Sequence, residues 1–97
     1  MQSVTDSTAL LENTTIVAFD LTDQKADEVY LVGSFNDWQN RATPMMALGE
    51  GMWGLRLPLP SGRYEYQFEV DGKRIPDPAA EETVRNPSGE LHSVLVV

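Results

Sequence analysis

Apolar residues recur at every second position in several separate segments of the chain. In residues 63–70 (RYEYQFEV), Tyr64, Tyr66, Phe68 and Val70 alternate with Arg63, Glu65, Gln67 and Glu69. That pattern predicts a strand with one buried face. Asp71-Gly72 follows it, and both residue types tolerate the positive φ of a tight hairpin turn. Ser61-Gly62 precedes it as another turn. Further upstream, Trp53, Leu55, Leu57 and Leu59 alternate with Gly54, Arg56 and Pro58. Pro58 lacks an N–H, so this segment is expected to be an edge strand or to end near Leu57. Val17, Phe19 and Leu21 share a face within 15–21. Residues 28–32 (EVYLV) are apolar on both parities and can be buried on both faces, which leaves open whether Leu31 or Val32 faces inward.

Between these runs the chain reads as turn and loop. Residues 33–41 (GSFNDWQNR) are rich in Gly, Ser, Asn and Asp,. Residues 76–90 carry Pro76, Pro78, Pro87 and Gly89 and read mostly as loop, with a helical turn at 79–83 as the only helical piece. The last stretch, His92 to Val97, is β-type. Roughly six or seven short strands with a turn signal about every 8–12 residues predict an all-β antiparallel sandwich of immunoglobulin-like type. The expected core includes Phe19, Val32, Trp53, Leu55, Tyr66, Phe68 and Leu95. Residues 1–13 are expected to be a tail, disordered or adding a strand at a sheet edge. Residues 14–97 are expected to form a single module.

Composition narrows what such a module can do. The chain has 97 residues with 15 acidic and 7 basic side chains, a formal net charge of -8. An acidic surface repels phosphate, so neither nucleic acid nor an anionic membrane is an expected partner. No cysteine is present, which removes disulfides, thiol nucleophiles and thiolate metal sites,. With one histidine, a zinc site would need carboxylates or a partner chain, and no metal or cofactor is expected. No apolar stretch is long enough to span a bilayer. Residues 1–13 lack the basic start and apolar run of a targeting signal, so a cytoplasmic location is expected.

No catalytic constellation is legible. The neighbour of His92, Ser93, would point to the opposite face of a strand, so the two cannot form a nucleophile–base pair. Glu81 with Glu82 and Glu65 with Glu69 are ordinary pairs for an acidic surface. Trp38 is different. It lies among Asn36, Asp37, Gln39 and Asn40, with no apolar periodicity around it. A large aromatic in a polar loop either folds back as a plug or stays out as a contact platform. The polar neighbours favour the platform. An exposed indole suits the C–H face of a sugar ring, and an uncharged polymer suits an acidic protein.

The segment 29–38 (VYLVGSFNDW), then Pro44-Met45, 62–72 (GRYEYQFEVDG), Asp77-Pro78, Asn86-Pro87 and the closing 89–97 together resemble carbohydrate-binding module family 48. This is the early-set glycogen-binding domain of the AMP-activated protein kinase β subunit and of isoamylase and branching-enzyme N-terminal regions. Small stand-alone bacterial members also occur. The resemblance spans roughly residues 15–97. It implies an immunoglobulin-like sandwich and non-catalytic binding of α-1,4-glucans such as glycogen and starch, with Trp38 as the stacking platform. The family's second tryptophan is replaced by Arg74, its strand lysine by Gln67, and its threonine and asparagine near the last strand by Glu90 and His92. The resemblance therefore implies a carbohydrate site of Trp38, Gln67, Arg74, Glu90 and His92. Arg74 keeps a planar group that can stack and donate, and Gln67 can pair with hydroxyls. The alternative is a protein-interaction or regulatory module of the same fold, docking to a catalytic or regulatory partner, with little sugar affinity.

Overall fold

A computed structural model describes residues 13–97. The expected tail falls almost entirely outside them. The strands in chain order are β1 (Thr15–Thr22), β2 (Val29–Gly33), β3 (Met46–Gly49), β4 (Met52–Leu59), β5 (Arg63–Val70), β6 (Lys73–Ile75), β7 (Glu82–Arg85) and β8 (Leu91–Val96), with one 3-10 turn at Ser34–Asn36. They form two antiparallel sheets. The first, sheet A, has the order β1-β4-β3. The second, sheet B, has the order β2-β5-β8-β7, with β6 also on β5.

The alternation in the sequence becomes the two faces of each sheet. In sheet A, Phe19 opposes Leu55 and Leu21 opposes Trp53, so these residues share the inner face. In sheet B, Leu31 opposes Phe68 and Val29 opposes Val70. The two inner faces meet in one cluster of buried side chains, including Phe19, Leu21, Val29, Leu31, Trp53, Tyr66 and Phe68. Phe19 and Tyr66 meet edge to face, centroids 5.2 Å apart, a geometry aromatic quadrupoles favour,. Leu55 and Leu95 are half-buried and pack against this cluster rather than inside it. Leu31 and Val32 are both fully buried, which explains the double parity of the run. Leu31 faces the core, whereas Val32 opposes Gln67 on the other face of sheet B.

Three local expectations are corrected. The segment 79–83 is not a helical turn: a turn bonding Ala80 N–H to the Asp77 carbonyl is followed directly by β7. The β-branched Thr83 and Val84 gain ladder partners from β8, which one isolated turn of helix would not supply,. The 33–41 loop contains the 3-10 turn. Finally, β4 is the central strand of sheet A despite Pro58. β3 pairs only with Met52–Gly54, so the Pro58 end of β4 has β1 as its one neighbour and behaves as an edge,.

Asp71-Gly72 closes the β5–β6 hairpin with φ of 49° and 87° at the two positions. The Asp71 carboxylate also accepts from the backbone N–H groups of Asp27 (3.0 Å) and Glu28 (2.9 Å), tying the segment that enters β2 to the hairpin.

Candidate functional site

The outward positions of sheet B carry the side chains that the sequence singles out. Tyr30 and Val32 on β2, Glu65, Gln67 and Glu69 on β5, Arg74 on β6 and His92 on β8 all occupy that face by register. Trp38 reaches it from the loop after β2.

That loop is built to separate its two aromatic residues. Gly33 sits so close to β5 that an added Cβ would lie 2.7 Å from the Glu65 carbonyl and 2.8 Å from the Phe35 ring. Only glycine allows this approach. Phe35 turns inward, 5.9 Å from Phe19 and 6.1 Å from Tyr64 between ring centroids. Asn36 fixes the turn: its Oδ1 accepts from Gly33 N–H at 3.1 Å, and its Nδ2 donates to the Leu31 carbonyl and Thr43 Oγ1. Asp37 and Trp38 then both adopt φ of 58°. Left-handed backbone is costly for a residue as bulky as tryptophan, so the surroundings must hold it there. Trp38 N–H donates to the Gly33 carbonyl at 2.9 Å, and Arg74 Nη2 donates to the Trp38 carbonyl at 3.3 Å and to Asn40 Oδ1 at 2.5 Å.

The indole so placed is half-buried and lies outside the core cluster. Its ring is 4.4 Å from the His92 imidazole, inclined by 33°. His92 is itself anchored from both nitrogens. Nδ1 is 3.1 Å from Glu65 Oε1, and Nε2 is 3.3 Å from Asn86 Nδ2. Asn86 Nδ2 can only donate, so Nε2 accepts, and Nδ1–H donates to Glu65,. Arg63 Nη1 holds the other Glu65 oxygen at 2.8 Å. The guanidinium first, and the imidazole second, keep the Glu65 carboxyl below its ordinary value,.

The remaining sequence candidates are placed differently. Gln67 is 2% exposed. It lies where β5 passes from β8 to β6 as neighbour, and its Nε2 donates to the Leu91 carbonyl at 3.0 Å, bridging that gap. Its Oε1 and the Glu69 Oε1 are buried without a protein donor. Glu90 is exposed in the β7–β8 turn, where its N–H donates to Asn86 Oδ1 at 2.8 Å. The fold thus brings Trp38, Arg74 and His92 into contact, sets Glu90 at their border through Asn86, and leaves Gln67 beneath. Glu65, Asn86 and Asn40 were not among the sequence candidates. Glu65 shares its parity with Gln67, which was the one available signal for it. Chemically the arrangement is a braced flat ring beside polar groups, with no nucleophile–base pair. Among the described residues no group of three or more His, Cys, Asp or Glu is placed to hold a metal ion. None of the helices described is long and apolar enough to cross a membrane.

Comparison with known proteins agrees with this architecture. The family described as "Glycogen recognition site of AMP-activated protein kinase" matches residues 15–97. A 1,4-alpha-glucan branching enzyme of Vibrio parahaemolyticus is 41% identical over 61 residues, covering 63% of this chain and 8% of the enzyme. The β-1 subunit of 5'-AMP-activated protein kinase from Bos taurus is 37% identical over 70 residues, covering 72% of this chain and 24% of the subunit. The Sus scrofa β-1 sequence is 36% identical over 70 residues, 72% of this chain and 54% of that sequence. The chain therefore spans less than two thirds of the length of each of these relatives.

Proposed function

The chain belongs to the glycogen-recognition family of AMP-activated protein kinase, and on that premise we propose that it is a non-catalytic binding module for α-1,4-glucan. In this reading Trp38 stacks on the apolar face of one glucose ring. The hydroxyls of that glucose and its neighbours meet Arg74, Asn40 and Glu90 around the ring. His92 supports the indole from the protein side, and Gln67 supports the strand junction below. The observation that carries the proposal is the Trp38 loop itself: a tryptophan held at positive φ by hydrogen bonds to Gly33 and Arg74, outside the core, on the outer face of sheet B. Backbone strain of this kind at a bulky residue clusters at ligand-binding sites, which supports the reading.

A second reading is a protein-interaction module with little sugar affinity. It is favoured by the engagement of Arg74 and His92 with Trp38 and by the burial of Gln67, which together leave fewer free groups for hydroxyls. Titration with β-cyclodextrin and maltoheptaose, following tryptophan emission, separates the two. The glucan reading expects a saturable change absent with a β-linked control such as cellohexaose. No response to either α-glucan at millimolar concentration would leave the second reading.

A further inference from the structure

The opposite side of the molecule carries an apolar surface for which a glucan site has no use. Among the described residues, four of the five exposed large hydrophobic side chains are Ile16 (57% exposed), Met46 (66%), Leu48 (57%) and Met52 (49%). Register places Ile16, Met46 and Met52 on the outer face of sheet A, and Leu48 joins them by its contact with Gly54. Ile16 opposes Pro58, Met52 opposes Thr22, and Met46 opposes Gly54. Leu48, at the β3 bulge, lies over Gly54, where an added Cβ would meet its Cδ1 at 2.9 Å. The absent side chain of Gly54 leaves a groove of about 570 Å³ lined by Ala18, Asp20, Met46, Leu48 and Arg56 among others. Scattered apolar residues on a surface are ordinary, but a contiguous patch across three strands marks a contact surface.

We propose that this face binds a second copy of the chain, sheet A against sheet A, about a two-fold axis. Charge decides the occupant. Each copy carries -8 overall, so most surfaces repel a second copy,. The outer face of sheet A is neutral: its strands present one acid, Asp20, and one base, Arg56, on adjacent strands and displaced along them, since Asp20 opposes Gly54 and Arg56 opposes Ala18. No ion pair among the described residues uses either. A two-fold axis lying in the face and passing between them sets Asp20 against Arg56 of the other copy, twice, in the reciprocal pattern of an isologous contact. The apolar side chains fill the space between, at the spacing of about 10 Å usual for packed sheets. Strands of eight residues and a width of at most three strands give a footprint of roughly 26 by 14 Å, smaller than stable interfaces bury, so the dimer is a weak, transient one and half-association is expected at hundreds of micromolar, on the order of 1 mM,.

The dimer leaves both outer faces of sheet B open on opposite sides. If the glucan reading holds, the two Trp38 platforms then engage separate glucan chains; that consequence rests on the reading, whereas the dimer does not. The test is sedimentation of the 97-residue chain from about 10 µM to 1 mM. The expected result is a shift from 10.8 kDa toward twice that mass. Leu48→Asp and Met46→Glu, both at exposed positions, should remain monomeric with unchanged far-UV spectra. Asp20→Arg and Arg56→Asp should each weaken association about tenfold or more, and the double exchange should restore it. A wild type that stays monomeric at 1 mM overturns the proposal, as does a dimer that survives Leu48→Asp and Met46→Glu or a double exchange that fails to recover. Glucan titration of the monomeric variants reads the sugar site separately.

Discussion

Replacing Trp38 by alanine separates the two roles an aromatic in a polar loop can have. The substitution removes the indole and keeps Cβ, so the strain of φ at 58° is unchanged in the variant,. What folding loses is the stack on His92, worth about 0.5–1.5 kcal/mol for an aromatic pair,. The ring lies outside the core cluster, so no core cavity opens. The expected cost is about 1 kcal/mol, seen as a fall in thermal midpoint of about 4–8 °C for a domain of this size. Trp53 supplies the contrast within the same chain. It is buried between Leu21 and Ala47, and Trp53→Ala is expected to cost about 3–5 kcal/mol,. In binding, Trp38 is the ring this reading offers to a sugar, whereas Tyr30 on the same face is covered by the Arg41 guanidinium, 4.8 Å from its ring centroid. Its loss is expected to weaken β-cyclodextrin about tenfold or more, equal to about 1.4 kcal/mol or above. Calorimetric titration and a thermal melt of the same preparation read both numbers. Unchanged affinity in a folded Trp38→Ala protein would refute the platform. A stability loss as large as that of Trp53→Ala would show that Trp38 is a plug.

Four further outcomes follow from the geometry. Leu31→Ala should cost about 2–5 kcal/mol in denaturant unfolding, because Leu31 is fully buried against Phe68 in the inter-sheet core,. Asp71→Ala should cost about 1–2 kcal/mol by thermal melt, because it strips two backbone N–H groups of their acceptor,. The Tyr66 phenol is raised above its ordinary value, by burial first and by its 2.6 Å bond to Asp77 second. Unfolded chains therefore release this proton near pH 10 while the folded chain keeps it, so stability is full below about pH 10 and falls as pH rises above it; Tyr66→Phe should remove that alkaline component. The Glu65 carboxyl is lowered, so its contribution is present above its unfolded value and is lost as pH falls through the folded one; Glu65→Gln should flatten the acid limb of an unfolding titration,.

The fold was legible because its information is local. Alternation in 63–70 and 53–59 fixes which residues face the core, and Asp71-Gly72 fixes a hairpin, with no knowledge of distant parts. Legibility ended where a neighbour decides. β7 is too short and polar to announce itself and exists by pairing with β8. Pro58 read as an edge because its chemistry is that of an edge; the sequence could not say that β3 stops short and leaves half of the central strand open. The site was readable to the same depth. Trp38 stands out by its polar surroundings, but its brace does not, since Glu65 lies 27 positions from His92 and Arg74 lies 36 from Trp38. Gln67 shows how a neighbour sets a side chain's surroundings. Its parity puts it on the outer face of sheet B, and the gap between β6 and β8 draws its amide sideways to the Leu91 carbonyl, where it is buried.

These placements change what the proposed site should select. Arg74 and His92 occupy positions from which a second ring and a hydroxyl could be gripped, and both are turned instead toward Trp38. A rigid platform loses less freedom when a ligand docks, which favours affinity per contact. The same engagement leaves one aromatic surface where two would read a longer stretch of chain. Energy then comes from one glucose ring and the hydroxyls beside it, and further glucose units add little. The expected signature is a dissociation constant that improves from maltose to maltotriose or maltotetraose and then levels off. Freeing the second position should restore length dependence: Arg74→Trp supplies the missing ring, and it should favour maltoheptaose over maltotriose by about tenfold, the worth of one modest aromatic contact. Isothermal titration across the oligosaccharide series measures both slopes. A wild type whose affinity keeps rising with chain length would mean that a second surface already reads the glucan, and the one-platform account would fail.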